Sequence, residues 1–307
     1  MDIYQTITDR VVAGIEQDGL KWFREWNTGA ANFSFPINHA TKKQYNGFNV
    51  MWLNTIAAEQ GYEHNEWMTF KQAEGKGYKL IEGETAKDKN QFCVYWTVSY
   101  KNNTTDKWYP NAKAAQAAGE NVSKLAKLWN MKQFYVFNIA QFENVTPITD
   151  SITVAQDEEH NPIEAAEAIF ANYDGKPTLK NGGDKAYYRP STHHVQMPKM
   201  NDFKTADDYY KTFYHELVHS TGHESLLKRK GVCGKHYFGS EEYSIEELIA
   251  EIGSEFLVGM TGIAPTDGAE NAQAYINGWL KSIKEGDAKT VVMAAQQAIK
   301  AVERIIK

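Results

Sequence analysis

The 307-residue sequence predicts an α+β protein of two domains, and three observations carry that reading. Segments with helical period and runs rich in β-branched and aromatic residues both occur, without the regular strand–helix alternation of a parallel α/β sheet. The tryptophans divide unevenly: Trp22, Trp26, Trp52, Trp67, Trp96, Trp108 and Trp129 precede residue 150, and only Trp279 follows it. Charge divides too. Residues 1–150 hold 16 Lys+Arg and 16 Asp+Glu, leaving 17 against 23 for the remainder, so all of the net charge of -6 lies C-terminal. We place the first domain at residues 1–145, a linker at 146–162 and the second domain at 163–307. The linker segment has no clear period and carries Pro147, Asp157-Glu158-Glu159 and Pro162.

In the first domain, Ile3, Ile7, Val11, Val12 and Ile15 recur on one helical face, predicting a helix over 3–17 that ends near Gly19. Asn46-Gly47 is a strong turn signal, and a helix is expected from about Val50 to Glu59. Trp67-Met68-Thr69-Phe70-Lys71-Gln72-Ala73 should begin another, broken by Gly75-Lys76-Gly77. Phe92-Cys93-Val94-Tyr95-Trp96-Thr97-Val98 reads as a strand, with Lys132 to Asn138 as its partner. Between them, Asn102-Asn103-Thr104-Thr105 and the alanine-rich stretch 112–127 read as an insertion.

Basic and aromatic residues interleave in this half. Trp22 and Trp26 flank Arg24, Lys42 and Lys43 precede Tyr45, and Trp67 is followed by Lys71. Single-stranded nucleic acid is held by positive charge along its phosphates and by aromatic faces that stack on its bases, so these residues are candidates for binding single-stranded DNA. The plainer reading is a set of core aromatics with solvated lysine neighbours. A net charge of -6 argues against a whole-chain nucleic-acid binder, but a neutral half can still carry a local positive groove.

The second domain begins with a helix at about 163–172. Asp184 to Pro198 reads as two short strands around a Pro190-Ser191 turn. Thr205-Ala206-Asp207-Asp208 is a helix start, and Tyr210, Phe213, Tyr214, Leu217 and Val218 form the buried face that follows. On that helix lies His215-Glu216-Leu217-Val218-His219. At about 100° per residue the two histidines stand one turn apart on one face, so both imidazoles can reach one tetrahedral ion, zinc by the chemistry of such ligands, with Glu216 beside them as general base.

Two histidines need a third protein ligand. Ser244 to Leu257 predicts a helix whose stripe is Ile245, Leu248, Ile249, Ile252 and Phe256, while Glu247, Glu251 and Glu255 share another face and Glu246 is rotated off it. We expect Glu247 to be the ligand and Glu251 to accept the N–H of a ligand histidine. Ser244-x-x-Glu247 also fits a capping box, which needs no metal, and Glu251 and His223 remain as alternative ligands. His223 is read as a helix-end or pocket residue. Tyr187, Tyr188, His223, His236 and Tyr237 are the candidates for stabilising an oxyanion.

With 42% hydrophobic and 23% charged residues the composition is that of an ordinary soluble protein. Cys93 and Cys233 fall in different halves and make no disulfide framework, which suits a reducing compartment. The first residues lack the basic-then-apolar pattern of a leader, and no apolar run is long enough to span a bilayer. A cytoplasmic location with no membrane partner is expected.

Several segments together resemble the ArdC-type antirestriction proteins of plasmids and phages. They are His215-Glu216-Leu217-Val218-His219-Ser220-Thr221-Gly222-His223-Glu224, Glu246-Glu247-Leu248-Ile249-Ala250-Glu251 and Tyr188-Arg189-Pro190-Ser191-Thr192. In the first half, Asp2 to Thr8, Gly47-Phe48-Asn49-Val50, Trp67 to Ala73 and Val136-Phe137-Asn138 are similar to the same family. The resemblance implies an N-terminal domain that binds single-stranded DNA, a zincin-like metallopeptidase domain behind it, and protection of incoming DNA from host restriction. A protein substrate or a component of the restriction system would be a further partner. The sequence departs from the family at Glu84 to Asn90, which is more polar, and at Leu226, where an arginine is usual. Two rival readings stay open: a DNA-binding protective protein whose metal domain is structural or partner-binding, and a housekeeping metallopeptidase with an accessory domain.

Overall fold

The structure is a computed structural model, described here for residues 3–18, 35–148, 162–234, 240–263, 280, 283–284 and 289–307. Helix α1 (Ile3–Asp18) buries Ile7, Val11 and Ile15, the stripe its sequence period defines. Strand β1 (Ile37–Asn38) leads to α2 (Phe48–Gln60), whose Phe48, Trp52, Leu53 and Ile56 are buried, and α2 stops at Gly61 in the left-handed conformation.

The segment expected to start a helix at Trp67 instead forms strand β2 (Glu66–Met68). Thr69 then caps the short helix α3 (Phe70–Gly75): its side chain accepts the Gln72 N–H while the Gln72 side chain accepts the Thr69 N–H. This capping box, with threonine at its head, sets the helix start at Phe70, three residues beyond Trp67.

The longest strands are β3 (Phe92–Asn102) and β5 (Ala126–Tyr135), antiparallel from Phe92↔Tyr135 to Lys101↔Ala126. Both outrun their sequence expectation, and the partner is displaced toward the N-terminus. Residues 137–138 instead form β6 (Phe137–Asn138), which pairs with β2 in the order β1-β2-β6. The stretch read as an insertion supplies β4 (Lys107–Tyr109), a short helix α4 (Ala112–Ala117) and the first residues of β5. Strand β4 completes a β4-β3-β5 sheet that projects beyond the main core.

In the second half, α5 (Pro162–Asn172) precedes β7 (Thr178–Asn181), β8 (Tyr187–Arg189) and β9 (His194–Met197), a sheet of order β7-β9-β8. The β8–β9 turn falls at Pro190, as the sequence indicates. Helix α6 (Ala206–Thr221) follows, then a one-turn helix α7 (Lys230–Cys233), α8 (Glu241–Thr261) and α9 (Thr290–Ile306).

Helix α9 has no counterpart in the sequence reading. Its Val291, Ala294, Ala295, Ala298, Ile299 and Val302 are all buried on one broad face, with Met293 and Lys300 exposed opposite, and its alanines let neighbouring backbones approach closely. It packs on α5, α6 and α8 of its own half and on α1 and α2 of the other. One continuous hydrophobic core therefore runs from Ile7 to Ile305. Most of the expected linker, residues 149–161, lies outside the described residues. At its start, Ile148 N–H donates to both Glu66 carboxylate oxygens at 2.9 and 3.2 Å.

Candidate metal centre

Helix α6 is seated by Tyr210, Phe213, Tyr214, Leu217 and Val218, all buried in the core, which leaves His215 and His219 toward α8. Thr205 caps it by accepting the Asp208 N–H at 3.1 Å. Its far end must contain a glycine, because a Cβ on Gly222 would lie 2.5 Å from Val232 Cγ2.

Helix α8 starts earlier than its sequence suggests. Ser240, not Ser244, is its cap and accepts the Tyr243 N–H at 3.3 Å, so Ser244 lies within the helix and the Ser244-x-x-Glu247 capping box does not form. Glu247 thus has no capping duty. Gly253 lets α8 approach α6, since a Cβ there would stand 2.8 Å from Val218 Cγ2.

Three side chains converge where the helices meet. His215 Nε2 lies 3.2 Å from His219 Nε2 and 3.3 Å from Glu247 Oε2, and His219 Nε2 lies 3.6 Å from Glu247 Oε1. A tetrahedral ion with ligands at about 2.0–2.1 Å separates any two of them by roughly 3.3–3.5 Å. The Nε2–Nε2 separation matches one such edge, and each imidazole reaches a different oxygen of Glu247 at a similar distance, so the three side chains converge on one point. Among the described residues, these three form the group of potential ligands whose atoms all lie within 4.8 Å of one another. The donor set, two imidazoles and a carboxylate, fits a divalent metal.

The outer nitrogen of each imidazole meets its own carboxylate. His215 Nδ1 is 3.3 Å from Glu251 Oε2, and His219 Nδ1 is 3.1 Å from Glu246 Oε1. Such partners fix the tautomer that leaves Nε2 lone pairs for an ion and raise ligand basicity. Each carboxylate is backed by a cation in turn. Lys211 Nζ donates to Glu251 at 2.9 Å and also binds Glu255. Arg229 donates to both Glu246 oxygens, to Val218 O at 2.7 Å and to Thr221 Oγ1. Sequence reasoning missed Glu246, Arg229 and Lys211. The available signal was Lys211, one helical turn ahead of His215; Arg229 carries none, because the turn that returns it to α6 has no sequence period.

The carboxylates around His215 favour its protonated form. Burial alone would lower the His215 pKa, but hydrogen bonds to Glu247 and Glu251 and the charges of Glu247 and Glu216 outweigh it and raise the value to about 10. Burial alone would raise Glu247; the neighbouring histidines instead bring it down to about 2. Glu246 and Glu251 are likewise held low against their burial, Glu246 by His219 and Arg229 and Glu251 by Lys211 and His215.

Glu216 is 9% exposed and makes no side-chain hydrogen bond among the described residues, which suits a base kept available. His223 is turned elsewhere, its ring centroid 4.3 Å from that of His193 and its Nδ1 2.8 Å from Ser225 Oγ. Tyr188 OH bonds His193 Nδ1 at 2.8 Å, and Tyr187 OH accepts from Arg189. His236 and Tyr237 lie outside the described residues, as do Trp22, Arg24 and Trp26.

Of the remaining nucleic-acid candidates, Lys42, Lys43 and Lys71 are exposed. Trp67 is a correction. It is fully buried, with its indole N–H donated to Asn65 Oδ1 at 2.6 Å, and so has no face open to a base. Tyr45 is half-buried against the core and its hydroxyl accepts from Asn38.

Paired histidines on one helix, a glutamate from the next and carboxylates behind the imidazoles define the chain's second half as a zincin-like domain. Comparison with known proteins agrees: residues 164–297 match the family model for a zincin-like metallopeptidase, and residues 1–137 match the N-terminal domain of anti-restriction factor ArdC. The antirestriction protein ArdC of plasmid R388 has been solved metal-free and with Mn(II). Its metal-free structure superposes with a TM-score of 0.70 at 28% identity, covering 99% of this chain and 97% of that one. The protein y4eC of Sinorhizobium fredii is 30% identical over 97% of this chain and 89% of its own length. A DNA primase TraC of Escherichia coli is 32% identical over 97% of this chain, and a second is 31% identical over 92%. The chain spans only 26% and 18% of those primases. The chain belongs to the ArdC family of antirestriction proteins. Among the described residues, no helix is long and apolar enough to cross a membrane.

Proposed function

We propose that this protein works in the cytoplasm as an antirestriction factor, binding single-stranded DNA through its first half and carrying a zinc-dependent, peptidase-type site in its second. The observation that carries the second part is the triangle of His215 Nε2, His219 Nε2 and Glu247, with Glu251 and Glu246 behind the imidazoles. His215, His219 and Glu247 would hold the ion. A divalent cation held there supplies Lewis-acid chemistry, polarising a carbonyl and acidifying water. Glu216 takes the proton from the attacking water and delivers it to the leaving amine. Glu251 and Glu246 hold the imidazoles in one tautomer and orientation throughout, and Lys211 and Arg229 keep those carboxylates charged.

The first part is supported by the family of the N-terminal half and by its exposed lysines. Its partner is DNA that enters the cell single-stranded, and a protein of the restriction system is the peptidase substrate. The test is DNA transfer into a restricting host expressing the wild-type chain or Glu216→Gln. Loss of protection in the variant, with DNA binding intact, is the expected result. Full protection by Glu216→Gln would make the metal domain structural or partner-binding and leave DNA binding as the protective act.

A further inference from the structure

The β4-β3-β5 sheet presents aromatic side chains to solvent in a way the rest of the molecule does not explain. Tyr95 is 43% exposed, Trp108 50% and Leu128 48%, although large apolar groups are normally covered in a stable fold. Register assigns them to one face. Directly opposed residues of an antiparallel pair point the same way, and alternate residues of a strand share a face. Tyr95 opposes Lys132, Thr97 opposes Asn130, Ser99 opposes Leu128, and Lys101 opposes Trp108 on β4. That face is therefore aromatic and cationic at both ends, with small polar groups between. Trp129, opposed to Val98, belongs to the other face.

Charge points the same way. Residues 92–135 carry six lysines and two acids, in a chain whose net charge is -6. Both acids stay charged, so the segment's excess is four positive charges, six lysines less two acids, with Lys101 offset by its Asp106 partner. Asp106 pairs with Lys101 at 2.5 Å, and Glu120 accepts from Tyr109 and Asn102. Lys101 Nζ lies 5.3 Å from the centre of the Trp108 ring, so a cation already covers one aromatic platform. At the Tyr95 end the sheet runs into a cleft of about 550 Å³ between the halves, whose lining includes Tyr95, Phe134, Asn46, Gln296, Lys300 and Glu303. From Tyr95 to Lys101 the strand spans about 20 Å at ~3.4 Å per residue, the length of roughly six stacked nucleotides.

We infer that this face, from Trp108 and Lys101 through Leu128 to Tyr95 and Lys132, is the surface on which single-stranded DNA lies. Bases stack on Trp108 and Tyr95, the backbone follows the lysines, and one end of the strand enters the cleft beside Lys300. The inference rests on the reading that this half of the chain binds single-stranded DNA, and it moves the contact from Trp67 to Tyr95 and Lys132 of the two expected strands and to Lys101, Trp108 and Leu128 of the segment read as an insertion.

The test is fluorescence anisotropy of a labelled oligothymidylate with the full-length chain across a salt series, for wild type, Tyr95→Ala, Trp108→Ala, Lys132→Ala and Trp129→Ala. Each replaced side chain is exposed, so melting temperatures should stay at the wild-type value and serve as the folding control. Tyr95→Ala and Trp108→Ala are each expected to weaken binding about tenfold. Lys132→Ala should reduce the slope of log affinity against log salt by about 0.7, and Trp129→Ala should change affinity less than twofold. If wild type binds tightly while Tyr95→Ala and Trp108→Ala bind equally well, or if Trp129→Ala alone is impaired, this face is not the DNA seat, although the half still binds DNA. If wild type does not bind at all, the reading beneath it fails as well, and the face is left to a protein partner.

Discussion

Glu246 Oε1 lies 3.1 Å from His219 Nδ1, and the same carboxylate is clamped by the Arg229 guanidinium with both side chains buried. A residue that the helical wheel turns away from the metal face is thus tied to it through the outer nitrogen of a ligand histidine. Two variants separate its roles. Glu246→Gln keeps the shape and removes the charge, and it should weaken zinc affinity about 10- to 100-fold in a chelator competition. Arg229→Met strands a buried carboxylate and should cost about 3–5 kcal/mol in urea unfolding.

Glu216 makes no side-chain hydrogen bond among the described residues. Glu216→Gln should therefore bind zinc as wild type does and melt at the same temperature. Hydrolysis of a peptide substrate should fall by about 10²–10⁴, the usual worth of a positioned general base. A variant that loses metal along with activity would make Glu216 part of the scaffold.

The metal-free cluster predicts a definite pH dependence. The folded value of His215, about 10, lies above its ordinary 6.5, so its stabilising contribution is complete below pH 6.5 and is lost as pH rises through 10. Glu247, at about 2 against 4.5, contributes fully above pH 4.5 and loses its contribution as pH falls through 2. Without metal, these two groups favour the folded state most between about pH 4.5 and 6.5. Zinc must displace the His215 proton, so its affinity rises with pH over the range in which metal-free stability falls. Melting curves with chelator and with zinc, taken from pH 6 to 9, should diverge as pH rises.

Close approach of α8 to α6 depends on Gly253. In Gly253→Ala the new methyl meets Val218 at 2.8 Å, and the helices must separate or Val218 must move. Overpacking of this kind costs about 1–3 kcal/mol. Because the same approach brings Glu247 to the histidines, zinc affinity should fall together with stability in paired unfolding and titration measurements.

Legibility followed the range of the interactions. The α6 stripe, the His215/His219 spacing and the strand at 92–98 rest on local period, and the folded chain has them. Glu247 and Glu251 could be named because an acid repeat of four residues on one helix is also local. The cap at Ser240 was obscured by a second serine at Ser244 with a glutamate three residues on, an equally good pattern one turn too late. Trp67 looked like a binding residue because lysine and phenylalanine surround it; only the pairing of β2 between β1 and β6 buries it. Arg229 answers to a contact made across the chain, and no period near it announces a partner; α9 carries a plain helical period from Val291 to Ile305 that the sequence reading left unused. The lysine-rich stretch between β3 and β5 looked like an insertion because its aromatic face exists only once β4 and β5 lie beside β3.

The central claim is that His215, His219 and Glu247 bind one divalent ion between α6 and α8. Its most direct test is zinc titration of the chelator-treated protein, with wild type, Glu247→Ala and Glu251→Ala compared at one pH. The account predicts one zinc per wild-type chain, about 10- to 100-fold weaker binding in Glu251→Ala, and no stoichiometric zinc in Glu247→Ala. One tightly held zinc in Glu247→Ala, with loss in Glu251→Ala, would contradict it and make Glu251 the ligand.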